Sequence, residues 1–387
     1  MNFNFLTPVN DAVLAHNELL SNQALGRKLK IHSKQLGFPD LVGVKIALIG
    51  VPENRNDVNY LGEDFSIDAI RKALYGLFPG NWDTDIADLG DILKGDSYED
   101  TYFALRTSLE ILLEKNIIPI IIGGSQDLTY PLYRAYDTIM PMVNLVSVDK
   151  AFDLGDSSKQ IKNDNFLGKI ILDKPYNLFN YASLGYQTYF NSQEEIDLMD
   201  RLYFEAHRLG EVKNNINIVE PVMRDANIVS IDLNCLRASE VSLKQRYSPN
   251  GFDGQEICAI ARYAGISNKV SSFGIFEYKP SIDDEITSML IAQSIWYFIE
   301  GVNCRVKDDD FLEDAYIKYI VMADDEELIF YKSNKTGRWW IEIPFLSNVN
   351  NKLKKHTLLP CTHDDYLEAS QGKIPERWYK AYKKNSF

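Results

Sequence analysis

The chain has 387 residues, of which 45% are hydrophobic and 25% are charged, enough to build one large domain with terminal additions. Its formal net charge of −14 argues against a nucleic-acid partner, because most of such a surface would repel a phosphate backbone. No stretch approaches the roughly eighteen apolar residues of a membrane span. Residues 1–10 lack the basic start and apolar centre of a secretion signal. We therefore expect a cytoplasmic protein that binds neither nucleic acid nor a membrane.

Three regions follow one another along the chain. Residues 1–42 are polar and mixed, and they predict an N-terminal helical addition with a helix from Asp11 to Leu29. In residues 43–306, apolar runs of strand length alternate with segments of helical periodicity. The predicted strands are 44–52, 85–92, 117–122, 143–148, 227–234 and 270–280, and the predicted helices are 98–115, 132–136, 281–301, one after Ser66 and one near Asp253. This alternation predicts a three-layer α/β/α sandwich around a mainly parallel sheet.

Residues 307–387 are predicted to form a small C-terminal antiparallel β addition. An acidic segment at 308–314 marks its boundary, and residues 316–345 are typical of three strands joined by turns at 323–326 and 334–337. A meander this small cannot enclose a core alone, so its apolar residues are expected to pack on the α/β domain or on a neighbouring subunit. Those residues are Tyr316, Tyr319, Ile320, Phe330, Tyr331, Trp339, Trp340 and Ile343.

Polar residues follow the ends of three predicted strands in the central region. The sequences there are GGSQD, VDKAFD and SIDLN, and the two glycines of the first allow a sharp turn. Polar groups that follow the strands of βαβ units line the site in such folds. We therefore expect the polar residues that follow the first two of these strands, Asp149 and Asp153 among them, to line a site.

In order and separation, GGSQD, SVDKAFD and SIDLN resemble the metal-binding motifs GG-x-H, D-x-H-x-D and S-x-D-x-D of the ureohydrolases. That family contains arginase, agmatinase and formimidoylglutamase, and the similarity runs from about Val44 to about Gly301. The resemblance implies an arginase-like fold and, in active members, two manganese ions sharing a hydroxide that attacks a guanidino or formimino carbon. This sequence departs from the pattern at three ligand positions: Gln126 and Ala151 replace histidines, and Asn234 replaces an aspartate.

These departures affect the two implied metal positions differently. The resemblance assigns one ion to Gln126, Asp149, Asp153 and Asp232. It assigns the other to Asp149, Ala151, Asp232 and Asn234. Alanine has no ligand atom, so the second position is predicted to be dismantled. The first is an all-oxygen set that suits at most one weakly held Mg²⁺, Ca²⁺ or Mn²⁺. Alternatively, Lys150 or hydrogen bonds and water satisfy these carboxylates without metal.

Glu277, in FEYKP, matches the E-x-N-P glutamate that contacts the substrate guanidinium in relatives. Its presence predicts a pocket for a small cationic or amidine ligand. Residues 154–194, where active relatives supply a proton-transfer histidine, contain none.

The sequence thus predicts a ureohydrolase-fold pseudoenzyme that binds a small ligand or a protein. The alternative is a metal-dependent hydrolase of C–N bonds in linear amidines such as formiminoglutamate, arginine or agmatine. A third reading is a structural subunit of a homo-oligomer, assembled through the C-terminal addition.

Overall fold

The computed structural model describes residues 3–62, 64–241, 248–280, 285–308, 315–344 and 358–386. The strands of its large sheet are β1 (Leu6–Thr7), β2 (Lys30–Ile31), β3 (Val44–Val51), β4 (Asp85–Ile92), β5 (Ile118–Gly123), β6 (Val143–Val148), β7 (Leu178–Tyr186), β8 (Glu205–Arg208), β9 (Ile228–Asp232) and β10 (Ser272–Phe276). The helices around it are α1 (Asp11–Glu18), α2 (Asp68–Gly76), α3 (Tyr98–Glu114), α4 (Thr129–Arg134), α5 (Phe166–Leu172), α6 (Gln193–Arg201), α7 (Leu209–Asn214), α8 (Val219–Asp225), α9 (Gly254–Ile266) and α10 (Glu285–Asn303).

The large sheet has the strand order β1-β4-β3-β5-β10-β9-β6-β7-β8, and β2 also pairs with β4. Its pairings are parallel except for that of β1 with β4. The predicted three-layer α/β architecture is therefore confirmed. β5 and β6 are parallel as expected, but β10 and β9 lie between them.

Each face of the sheet carries its own apolar core. Along β3, Ile46 and Leu48 point into a core shared with α2, α9 and α10, whereas Ala47 and Ile49 point into a core shared with α3, α4 and α5. This alternation follows from the two-residue period of a strand, and burial on both faces explains the nearly continuous apolar runs in the sequence.

The N-terminal segment differs from its prediction. Helix α1 ends at Glu18 rather than Leu29, and a short 3₁₀ turn at Leu25–Arg27 follows. Serine, asparagine and glycine after Leu20 are poor helix formers, which explains the early end. Short strands β1 and β2 attach this segment to the sheet. Among the described residues, no helix combines the length and apolarity required to cross a membrane.

The C-terminal region contains a separate antiparallel sheet, as predicted, and two further helices. Its strands are β11 (Tyr316–Ala323), β12 (Glu326–Ser333), β13 (Trp339–Glu342) and β14 (Leu358–Cys361), in that order, and its helices are α11 (His363–Ser370) and α12 (Glu376–Ser386). The fourth strand and both helices were missed, as was the core they help to enclose. That core contains Ala323, Leu328, Phe330, Trp339, Ile341, Ile343, Leu359, Cys361, Ala369 and Trp378. The start of the predicted helix 281–301 (281–284), most of the acidic boundary (309–314) and the end of the meander lie outside the described residues.

This C-terminal module, residues 315–386, also contacts the α/β domain. Arg224 of α8 donates hydrogen bonds from Nη2 to the carbonyls of Trp339 (3.0 Å) and Cys361 (3.2 Å). Its guanidinium lies 4.4 Å from the ring centroid of Trp340. The sequence predicted that the C-terminal strands pack either on the α/β domain or on a neighbouring subunit. The contacts of Arg224 show that they pack on the α/β domain of the same chain. Contact with a neighbouring subunit stays a prediction.

Candidate functional site

Four neighbouring strands bring the predicted site residues together. In the order β5-β10-β9-β6, the carboxyl ends of these strands lead into Gln126, Glu277, Asp232 and Asp149 respectively. The strands are parallel to one another, so all four ends lie at the same edge of the sheet. The expected convergence of the three motifs is thus a direct result of the strand order.

Gly124 lets the backbone close around this edge. A Cβ at this position would lie 1.8 Å from the carbonyl oxygen of Glu53, a distance that no side chain tolerates. Its own carbonyl accepts a 2.6 Å hydrogen bond from the backbone N–H of Glu277. Asp153 and Glu277 adopt left-handed backbone angles (φ 54° and 65°), a conformation that costs non-glycine residues free energy and is common at functional sites.

Three aspartates form a buried acidic cluster. Burial raises the pKa of Asp149, whose Oδ2 has no hydrogen-bond partner among the described residues. Burial, and then the charge of Asp149, raise the pKa of Asp153 well above its usual value. Burial, and then the charges of Asp149 and Glu277, do the same to the pKa of Asp232. Crowded carboxylates in a low-dielectric environment retain protons because their charges repel one another.

Lys150 lies beside this cluster but is directed elsewhere. Its Nζ lies 4.9 Å from the ring centroid of Phe190. Its positive charge lowers the pKa of both Asp149 and Asp232, but less than burial raises it. Within the described ranges, Lys150 forms no ion pair with either carboxylate.

The residues that replace family ligands are engaged by the chain itself. Gln126 donates a hydrogen bond from Nε2 to Ser147 Oγ (3.2 Å). Asn234 donates from Nδ2 to Glu277 Oε2 (3.3 Å), and its backbone N–H donates to Asp232 Oδ1 (2.6 Å). Ala151 contributes only a backbone N–H, which donates to Asp149 Oδ1 (3.1 Å).

Glu277 is 1% exposed and is surrounded by hydrogen-bond donors. They are the backbone N–H of Gln126 (2.9 Å), Asn163 Nδ2 (2.9 Å), Asn234 Nδ2 (3.3 Å) and Lys279 Nζ (2.7 Å). Lys279 also forms an ion pair with Asp57. Motif reasoning identified Glu277 but missed Asp57, Asn163 and Lys279. The lysine had a signal, because it stands at the asparagine position of E-x-N-P.

These residues do not fit a pair of metal ions. Ala151 has no donor atom, and the amide nitrogen of Asn234 faces Glu277. In the part of the chain that is described, no three His, Cys, Asp or Glu side chains converge as metal ligands. A single hard cation held by Gln126, Asp149, Asp153 and Asp232 stays a prediction.

The motifs and the strand order can be compared with known proteins. Residues 44–300, more than half of the chain, match the model of the Arginase family. The chain belongs to the arginase family.

Individual members of the family are distant from this chain. The formimidoylglutamase of Geobacillus sp. (strain WCH70) is 24% identical over 237 residues, which cover 58% of this chain and 72% of that protein. The formimidoylglutamase of Bacillus subtilis (strain 168) is 21% identical over 276 residues, covering 66% and 86%. These similarities support the family assignment. The chemistry of this arginase-family chain is inferred from its own residues.

Solved structures give the same fold. A formiminoglutamase from Trypanosoma cruzi with Mn²⁺ superimposes with a TM-score of 0.62 at 17% identity, covering 69% of this chain and 96% of that one. The agmatine ureohydrolase of Thermoplasma volcanium gives a TM-score of 0.57 at 19% identity, covering 74% and 97%. The manganese in the first structure associates this fold with divalent metals.

Proposed function

We propose that this arginase-family chain acts by binding rather than by two-metal hydrolysis. The observation that carries the proposal is the state of the second metal position, where Ala151 has no ligand atom and Asn234 donates its amide hydrogen bond to Glu277. Hydrolysis of a C–N bond in this family requires two ions that acidify a shared water and stabilise the tetrahedral intermediate. With one position dismantled, that water is not activated.

The acidic cluster that remains concerns the first metal position. Burial raises the pKa of Asp149, and burial together with neighbouring charges raises the pKa values of Asp153 and Asp232 well above their usual values. Ligand carboxylates must be ionised to bind a divalent ion, so any metal binding at this cluster should weaken as the pH falls. With Ala151 and Asn234 at the second position, the proposal allows at most one loosely held cation here.

Two kinds of ligand are proposed for this binding function. A small cationic or amidine compound is proposed because Glu277 remains in its family position, and a protein partner is proposed because the C-terminal module lies outside the family match. Assembly into a homo-oligomer through that module, and a cytoplasmic location, are proposed with them.

A second candidate is a metal-dependent hydrolase of C–N bonds in linear amidines. The comparisons favour this candidate, because the matched relatives include several named formimidoylglutamases. Asp149, Asp153 and Asp232 are also kept in this chain. The side chains of Ala151 and Asn234 in this chain favour the first proposal, binding without two-metal hydrolysis.

One experiment decides between the two. The full chain, purified without chelator, is analysed for bound metal and assayed with Mn²⁺ on formiminoglutamate, arginine and agmatine. We expect less than one tightly bound ion per chain and background turnover, whereas the triple variant Q126H/A151H/N234D should gain metal. Manganese-dependent turnover by the unmodified protein would establish the hydrolase instead. Two ions about 3.5–4 Å apart in a manganese-soaked crystal would contradict the prediction that the second metal position is dismantled.

A further inference from the structure

An ammonium group of the chain itself lies between two buried carboxylates at the candidate site. Lys279 Nζ contacts Glu277 Oε2 at 2.7 Å and also forms an ion pair with Asp57. The side chains of Glu277 and Asp57 are only 1% and 3% exposed, and that of Lys279 is 14% exposed. Asp57 comes from the loop after β3, and the other two residues follow β10, so the contact joins separate parts of the sheet edge.

Asn163 holds both carboxylates in place around this ammonium. Its Nδ2 donates to Glu277 Oε1 (2.9 Å) and to Asp57 Oδ1 (3.2 Å), and its Oδ1 accepts from the backbone N–H of Val58 (3.1 Å). Glu277 is fixed further by the backbone N–H of Gln126 (2.9 Å). The acceptors around Lys279 are therefore positioned by the fold and not by the lysine alone, which is the property of a preformed binding site.

The lysine is charged in this position. Burial by itself would lower the pKa of Lys279, but the carboxylates of Glu277 and Asp57 raise it overall. Two buried carboxylates need a positive partner, because an unpaired charge in a low-dielectric interior is strongly unfavourable. Lys279 stands where E-x-N-P has a neutral asparagine, so this chain has gained a cation beside a site that has lost metal ligands.

We infer that Glu277, Asp57 and Asn163 form a binding site for a primary ammonium group, which Lys279 fills as a ligand tethered to the same chain. A cationic amidine reaches Glu277 only by displacing Lys279. This inference deepens the proposed function and rests on it only for the identity of the site, because the ammonium contacts exist whether or not the chain hydrolyses anything.

The first test removes the tether from the full-length protein. K279A leaves two buried carboxylates without their cation, so its Tm should fall by about 5 °C or more. Propylammonium chloride replaces the missing part of the side chain and should restore much of that loss in a saturable manner. Tetramethylammonium chloride, which has no N–H donor, should not.

Two variants serve as controls for this rescue. K279M fills the space without a charge, so propylammonium should leave its Tm unchanged. K269A removes a lysine that contacts a single carboxylate, Asp225 at 2.6 Å, and should show no propylammonium-dependent shift. The inference is overturned if K279A keeps the wild-type Tm, or if propylammonium changes the Tm of all variants equally or of none.

A measurement on the unmodified protein covers the case in which K279A does not fold. Reductive methylation followed by mass spectrometry should modify Lys159, which is 75% exposed, at least tenfold faster than Lys279. Equal rates of methylation of Lys159 and Lys279 would overturn the inference that Lys279 is a tethered ligand. That result would leave the proposed function intact, since the latter fails only if the unmodified chain hydrolyses an amidine.

Discussion

Gly124 shows how a single residue supports the candidate site. The ends of β3, β5 and β10 meet there, because Gly124 N–H donates to Val51 and its carbonyl accepts from Glu277. The backbone of Glu53 passes within 1.8 Å of the position that a Cβ would occupy. The absence of a side chain is therefore a packing requirement.

The substitution Gly124→Ala should destabilise the protein by about 2–4 kcal/mol, since the β3 loop must move to admit a methyl group. Urea unfolding of the full chain measures this. Gly210→Ala is the matched control, because nothing lies within 4 Å of its Cβ position, and it should be neutral or slightly stabilising. Equal stabilities of the two variants would contradict the packing argument.

At this scale the sequence predicts the residues that belong to motifs and misses the others. Gln126, Asp149 and Asp232 were predictable because each lies at or near the end of an apolar strand, within a segment that resembles a metal-binding motif of the family. Asn163 was not, since its contacts with Asp57 and Glu277 span 106 and 114 positions along the chain. Such contacts depend on strand order, which local patterns do not encode.

Helix α8 makes one of the contacts between the α/β domain and the C-terminal module. Arg224 reaches two carbonyls of β13 and β14 and lies against Trp340, while Arg338 pairs with Glu220 of the same helix at 3.1 Å. Buried guanidinium contacts of this kind are specific in direction and are lost when the charge is removed.

The substitution Arg224→Met should therefore cost about 2–4 kcal/mol, since two hydrogen bonds to a charged donor and a stacked ring contact are lost. Limited proteolysis should release the C-terminal module faster in this variant. Arg106→Met is the control, because Arg106 forms a partly exposed pair with Glu110 on one helix, worth at most about 0.5 kcal/mol. Unchanged proteolysis in Arg224→Met would indicate that other contacts hold the module.

Elements differed in how well their sequences identified them. Strands β4 and β6 have the predicted bounds because apolar runs between turns define them. Strand β14 was missed because it is only four residues long and contains Pro360, which is tolerated at a sheet edge but argues against a strand when read locally.

At the scale of the whole molecule, the last strand of the large sheet, β8, meets helix α12. Glu205 accepts a hydrogen bond from Arg377 at 2.9 Å and lies 3.8 Å from His207 Nε2, and His207 Nδ1 lies 3.1 Å from Glu211. Burial opposes charging of His207, but the two carboxylates outweigh it and raise the pKa of His207 to about 9.

Stability should therefore depend on pH. The folded protein keeps the His207 proton between pH 6.5 and 9 while the unfolded chain releases it, so this contribution is complete below pH 6.5 and is lost as pH rises through 9. Burial lowers the pKa of Lys384 to about 8. Above that pH the folded protein has released the Lys384 proton while the unfolded chain still holds it, so Lys384 makes stability rise with pH there. Between pH 6.5 and 8, the free energy of unfolding of the wild type should fall by up to about 2 kcal/mol more than that of His207→Gln, as measured by urea unfolding. Identical slopes would exclude this role for His207.

Removal of residues 307–387 tests the module as a whole. Glu205 would lose Arg377, and Arg224 would lose both of its carbonyl partners. We expect an insoluble or strongly destabilised core, as measured by solubility and circular dichroism. A folded core with altered oligomeric state would favour assembly through the module, and a core unchanged in both respects would contradict both alternatives.

The Lys279 contact also bears on how this protein depends on its surroundings. A carboxylate pair neutralised by a metal is complete only while the cell supplies that metal, and a chelator then weakens the fold. The negative charges of Glu277 and Asp57 are instead neutralised by Lys279, a residue of the same polypeptide chain. This part of the sheet edge is therefore assembled as soon as the chain folds, at any concentration of manganese in the cell.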